Sequence, residues 1–122
     1  MGFHPVNLAI RFLLEIFSLI SLGMWGWNHG EGLVRYVLAI GIPAGVAVIW
    51  GVFAVPGDPS RSGSTPVVTP GWVRLLLELV VFTAATLALY DIGYVTISLI
   101  LGITAFLHYV FSYDRIRWLI SH

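Results

Sequence analysis

Apolar residues run in four long blocks along this chain, at about Val6–Trp27, Leu33–Val55, Trp72–Tyr90 and Ile92–Tyr113, with polar residues gathered in the gaps. A helix needs about 20 such residues to cross about 30 Å of hydrocarbon at 1.5 Å per residue. Each block therefore predicts one membrane-spanning helix, and the four together predict an all-α bundle forming a single domain over residues 1–122. The gaps are unequal. Asn28–Gly32 predicts a tight polar turn, and Asp91 with Gly93 a tighter one. Residues 56–71 hold Pro56, Pro59, Pro66 and Pro70 with Gly57, Gly63 and Gly71, which predicts a flexible linker. Residues 114–122 (DRIRWLISH) alternate basic and apolar positions. They predict a short interfacial helix with Arg115, Arg117 and Trp118 at the membrane surface.

Composition agrees with that pattern. Of 122 residues, 58% are hydrophobic and 10% charged, against about 25% charged in an ordinary soluble domain. So few charges cannot coat a water-facing surface. Net charge is zero, which gives no footprint for nucleic acid. The absence of cysteine excludes disulfides, a thiolate metal site and a cysteine nucleophile. The N-terminal block lacks a basic leader and contains Arg11 and Glu15, so it is not expected to be a cleavable signal. With four spans, both termini and the Pro-rich linker share a side carrying Arg61, Arg115 and Arg117, with Arg11 and Arg74 close to it, whereas the other side has only Arg35. Excess arginine marks the cytoplasmic face, so both termini are expected there. Trp25, Trp27, Tyr36, Tyr90 and Tyr94 then form the outer aromatic belt, and Trp72, Tyr109, Tyr113 and Trp118 the inner one.

Two of the blocks are interrupted by the same kind of string, Arg11-Phe-Leu-Leu-Glu15 in the first and Arg74-Leu-Leu-Leu-Glu78 in the third. An ionised group at the centre of a membrane helix costs on the order of 2.5–3.5 kcal/mol, so such groups are seldom accidental. Twelve uncharged residues follow each Glu before Trp27 and Tyr90, about 18 Å of helix, too little to span alone. Both carboxylates must lie inside. The arginines can snorkel toward the cytoplasmic phosphates; the shorter glutamates cannot. The order Arg before Glu is also the weaker one for helix stability, so it is not explained by the helix itself.

The duplication predicts two tandem two-helix repeats about a pseudo-twofold axis along the membrane normal, with reciprocal pairs Arg11–Glu78 and Arg74–Glu15. His108 and Trp50 arrive at the same depth, with Asn7 nearer the surface. The intramembrane network is thus Arg11, Glu15, Arg74, Glu78 and His108. It reads either as a clasp between helices or as a polar site. The even-numbered helices carry packing signals instead: Gly41-Ile-Pro43-Ala-Gly45 on helix two and Ser98-Leu-Ile-Leu-Gly102 on helix four. These small-residue steps predict close packing of helices two and four, with Pro43 bending helix two; the alternative is a dimer face or flexible gate. Gly23 and Gly26 are expected to add a close contact near the outer surface.

Asn7–Glu15 (NLAIRFLLE), Trp50–Pro56 (WGVFAVP) and Pro70–Tyr90 (PGWVRLLLELVVFTAATLALY) resemble the YrdB family of small four-pass bacterial membrane proteins. The resemblance extends to about Tyr113 and leaves Asp114–His122 outside. It implies a bacterial cytoplasmic (inner) membrane location, and it brings no catalytic residue, ligand or cofactor.

Three functional classes follow. The first is a structural or partner-binding protein of the bilayer, held together by its Arg–Glu pairs and meeting an unidentified membrane or cytoplasmic partner. The second is a small homo-oligomeric transporter or channel using Glu15, Glu78 and His108 for protons or a small cation. An enzyme is not expected, because the chain lacks Gly-x-Ser-x-Gly, His-Glu-x-x-His and a phosphate-binding glycine loop. No metal is expected either, without a Glu-x-x-His step on one helix.

Overall fold

The computed structural model describes residues 5–55 and 67–122. Among these, five helices follow in chain order: α1 (Pro5–His29), α2 (Leu33–Val52), α3 (Gly71–Asp91), α4 (Val95–Phe111) and α5 (Tyr113–Ile120). Two short strands, β1 (Phe53–Ala54) and β2 (Val67–Val68), pair in parallel with Phe53 opposite Val67. They tie the end of α2 to the chain entering α3. The Pro-rich stretch 56–66 lies outside the described residues.

Helices α1, α2 and α3 are each long and apolar enough to cross a membrane. Helix α4 reaches that standard only together with α5, and the two are bent by 70°. The expected single span 92–113 is therefore shortened at both ends. At its start, Gly93 adopts φ 91°, a left-handed conformation that glycine takes without steric cost, and Tyr94 N–H closes back on the Leu89 carbonyl at 2.9 Å. Helix α4 cannot begin until that turn is complete. At its end, Asn7 donates to Ser112 Oγ at 2.7 Å and pins the corner between α4 and α5.

The long-range ties set the helix directions. Arg11 bonds Glu78 and Trp25 bonds Asp91, so α1 and α3 run parallel. Asn7 meeting Ser112 makes α4 antiparallel to α1. Helices α1 and α3 lie side by side, α2 packs on α1, and α4 packs on α3 while also touching α1. Leu14, Leu22, Phe82, Ala85, Leu89, Leu101 and Ala105 fill the interior. Trp50 reaches in from α2, with its ring 5.6 Å from that of Phe82 in an edge-on contact. Helix α5 turns back beneath α3. Gly71 sits directly on the Leu119 backbone there, and no side chain would fit.

The expected packing of α2 on α4 is not what forms. Residues two apart on a helix point about 200° from each other, so Pro43 and its flanking glycines face opposite ways. Pro43 faces α1, 3.5 Å from where a Cβ on Gly23 would stand, and a Cβ on Gly26 would come within 2.7 Å of the Leu38 backbone. Gly41 and Gly45 then look outward, with nothing within 4 Å. Ser98 is buried, and a Cβ on Gly102 would lie 3.2 Å from Thr86 of α3. Helix α2 runs unbroken through Pro43 and buries no residue fully.

The outcome is a molecule with its polarity inverted. Large apolar side chains such as Leu33, Val37, Ile40, Ile103 and Phe106 are exposed on α2 and α4, whereas Arg11, Arg74, Glu78 and Arg115 are buried.

Candidate functional site: a carboxylate inside an arginine cage

The polar centre is Glu78, on the buried stripe Gly71, Arg74, Glu78, Phe82 and Ala85 of α3. Its side chain is 0% exposed. Arg11 of α1 grips it with both terminal nitrogens, Nη1 donating to Oε1 at 3.0 Å and Nη2 meeting Oε2 at 2.8 Å. Arg115 of α5 does the same from below, Nη1 to Oε1 at 2.8 Å and Nη2 to Oε2 at 2.9 Å. Arg74, one turn earlier on α3, donates Nε to Oε2 at 2.9 Å. The Tyr109 hydroxyl of α4 completes the shell, donating to Oε1 at 2.8 Å. Six donors from four helices converge on one carboxylate, three on each oxygen. The group has about four lone-pair sites, so it is saturated.

Arg74 extends the network toward α2. Its Nη1 donates to the Trp50 carbonyl at 2.6 Å and the Phe53 carbonyl at 2.8 Å, and its guanidinium lies 4.4 Å from the Trp50 ring centre. Carbonyls at a helix C-terminus have no partner within the helix, so Arg74 both caps α2 and neutralises Glu78. The cation–π contact with Trp50 adds to the same tie.

Glu15 is placed differently. Among the described residues it keeps a single ion pair, with Arg11 Nε at 3.2 Å, and it lines the same crevice as the Trp50 side chain. Its side chain is 25% exposed. The reciprocal Arg74–Glu15 pair expected from the repeat is replaced by Arg74–Glu78. Arg11 lies opposite Glu78 and not opposite Arg74, one turn out of the register an exact repeat would have. Glu78 consequently collects all three arginines.

His108 is buried beside this cage, 4% exposed, with its ring 5.4 Å from that of Tyr109. Neither ring nitrogen has a hydrogen-bond partner among the described residues. The residues Arg11, Glu15, Arg74 and Glu78 are thus joined by ion pairs, while His108 stands next to them with no hydrogen bond among the described residues. Two further members, Arg115 and Tyr109, were expected at the membrane surface and in the aromatic belt. Arg115 is instead 1% exposed, because the bend at Ser112 folds α5 under the bundle. The signal was present in the spacing. Arg115 and Leu119 are one turn apart and face inward, whereas Tyr113, Arg117 and Ile120 form the exposed side of the same helix. Arg117 donates to the Tyr113 hydroxyl at 2.9 Å, and Trp118 stacks on His122 with ring centres 4.0 Å apart.

A smaller tie closes the other end of the bundle. Asp91 of α3 accepts from Trp25 Nε1 at 3.0 Å and from His29 Nε2 at 2.8 Å, both on α1. Helices α1 and α3 are therefore fastened at both ends, by a buried cage at one and an exposed pair at the other.

Residues 9–106 match a family model described as a protein of unknown function, DUF2568. The chain is 44% identical over 118 residues to the uncharacterized protein YrdB of Bacillus subtilis (strain 168), covering 97% of this chain and 96% of that protein. No solved structure matches it. The family match includes both Arg-x-x-x-Glu strings and ends before α5.

Proposed function

The chain belongs to the DUF2568 family of unknown function, and we propose that it is a structural or partner-binding protein of the bacterial inner membrane whose Arg–Glu cage clasps four spans into one bundle. What supports this reading is the saturation of Glu78: six donors and no exposed surface leave no position at which a transported ion or a substrate could be held. The apolar exterior of α2 and α4 supports membrane embedding, since burying that surface in lipid removes it from water. Four spans built as two tandem repeats, α1–α2 and α3–α4, put both termini and the Pro-rich connection on the cytoplasmic side. The Pro-rich connection is assigned to a membrane or cytoplasmic partner on its sequence alone; among the described residues, the surface left for a partner or a second copy is the exposed side of α5 at Tyr113, Arg117 and Ile120. No catalytic role is assigned to any residue.

A small homo-oligomeric carrier using Glu15, Glu78 and His108 is a second reading, drawn from the unpartnered ring of His108. Purified protein in liposomes separates the two. The clasp reading expects no proton or cation flux above protein-free vesicles, and Glu78→Gln to lower the melting temperature. Flux that disappears in Glu15→Gln while the melting temperature holds would overturn it in favour of the carrier.

A further inference from the structure

Glu15 has a place in the molecule that the clasp does not use. A crevice of about 160 Å³ opens beside it between α1 and α2, floored by Val81 of α3. Its walls are the apolar side chains of Phe12, Ile16, Val46 and Ala47, with Trp50 at one end and Glu15 contributing the carboxylate. Phe12 and Ala47 are on the exposed surface, so the mouth opens outward between the two helices and not toward the cage. A carboxylate has about four lone-pair sites. Arg11 Nε is paired with one oxygen, which leaves acceptor capacity beside the crevice.

The charges around the crevice select the occupant. A cation is opposed by Arg11 and Arg74, which crowd the same end, and an anion is opposed by Glu15 itself. A neutral group that donates a hydrogen bond meets neither repulsion. Arg11 also spends both terminal nitrogens on Glu78 and only Nε on Glu15, so Glu15 can adjust its hydrogen bonds without releasing Arg11.

We propose that the Glu15 crevice binds the head of a neutral, bilayer-dissolved amphiphile through a hydroxyl that donates to the Glu15 carboxylate, with its apolar body extending between α1 and α2 into lipid. Phenolic heads of the quinol type and long-chain alcohols share this chemistry. A pocket that is almost wholly apolar with one oriented polar group is the usual form of such sites. The inference rests on the membrane-embedded reading and goes beyond the clasp, which depends on Glu78.

The test uses the full chain reconstituted in phospholipid nanodiscs, after confirming that detergent is required to extract it from membranes; extraction without detergent would reject the membrane reading itself. Three diazirine photoprobes of equal chain length are compared, with phenol, alcohol and trimethylammonium heads, and cross-links are mapped by mass spectrometry. The expected result is labelling of the α1 segment around Glu15 by the hydroxyl probes, and its loss on adding unlabelled decylubiquinol for the phenol probe or decanol for the alcohol probe. The stronger of the two hydroxyl probes identifies the class of head. Glu15→Gln, which keeps the volume but loses the charge, is expected to weaken labelling about tenfold or more. Ala47→Phe, which fills the crevice from the exposed side without touching the cage, is expected to abolish it. Equal or stronger labelling by the ammonium probe, absence of hydroxyl-probe labelling near Glu15, or labelling indifferent to Ala47→Phe would each overturn the proposal.

Discussion

Glu78 and Glu15 end nearly identical strings, Arg74–Glu78 and Arg11–Glu15, and their surroundings could hardly differ more. Glu78 points into the space where α1, α3, α4 and α5 meet, and every one of those helices sends it a donor. Glu15 points toward α2, whose side chains offer Trp50 but no cation, and it remains partly open. A buried ion costs several kcal/mol of lost hydration unless its partners replace the water. At Glu78 they do so completely. At Glu15 one guanidinium nitrogen does part of it, and the remaining capacity faces the crevice. The same local string therefore became a fastening in one half of the chain and an opening in the other.

Removing the central carboxylate should break this contrast most severely. Glu78→Gln leaves three guanidiniums facing an amide, and the loss of a buried partner is expected to cost about 3–5 kcal/mol. Thermal unfolding in detergent measures it; an unchanged melting temperature would mean that the cage is not what holds the bundle. Arg115→Met comes next. It deletes two charge-assisted hydrogen bonds but keeps an apolar stem, so a loss of about 2–3 kcal/mol is expected. The loss should be accompanied by faster hydrogen exchange confined to α5 and the start of α3. Gly71→Ala should give the same exchange signature by a steric route, because the added methyl meets the Leu119 backbone.

Glu15→Gln sharpens the comparison from the other side. With one ion pair and a partly exposed side chain, it is expected to cost about 1 kcal/mol, well below its counterpart. Equal losses in the two Glu→Gln variants would erase the distinction between fastening and opening. The smallest effect is expected where α2 turns away from the bundle. Gly41→Ala enters empty space and should change stability by less than about 1 kcal/mol, in the stabilising direction. Gly26→Ala, against the Leu38 backbone, should destabilise by about 1–3 kcal/mol. Reversed signs would mean that α2 does not lie on α1, and the crevice beside Glu15 would go with it.

The apolar blocks, their interruptions by Arg11, Glu15, Arg74 and Glu78, and the turns at Gly32 and Gly93 are all legible in the sequence. Helix length, hydropathy and left-handed glycine conformations are local properties, and residues close along the chain decide them. Even the common depth of Glu78, Trp50 and His108 follows from counting residues along helices of fixed rise. What could not be counted was rotation and register between helices. A one-turn offset of α1 along α3 kept the expected Arg11–Glu78 pair but replaced Arg74–Glu15 with Arg74–Glu78, giving a single saturated carboxylate. The close approach at Gly23 and Gly26 turned the Gly41 and Gly45 face of α2 outward. The corner at Ser112 carried Arg115 from an expected surface position into the cage. Each of these depends on which side chains fit together across tens of residues of intervening chain, and that is settled by packing in three dimensions. The sequence by itself determined that charge lies inside an apolar molecule; the tertiary structure alone decided which carboxylate is enclosed and which is left open.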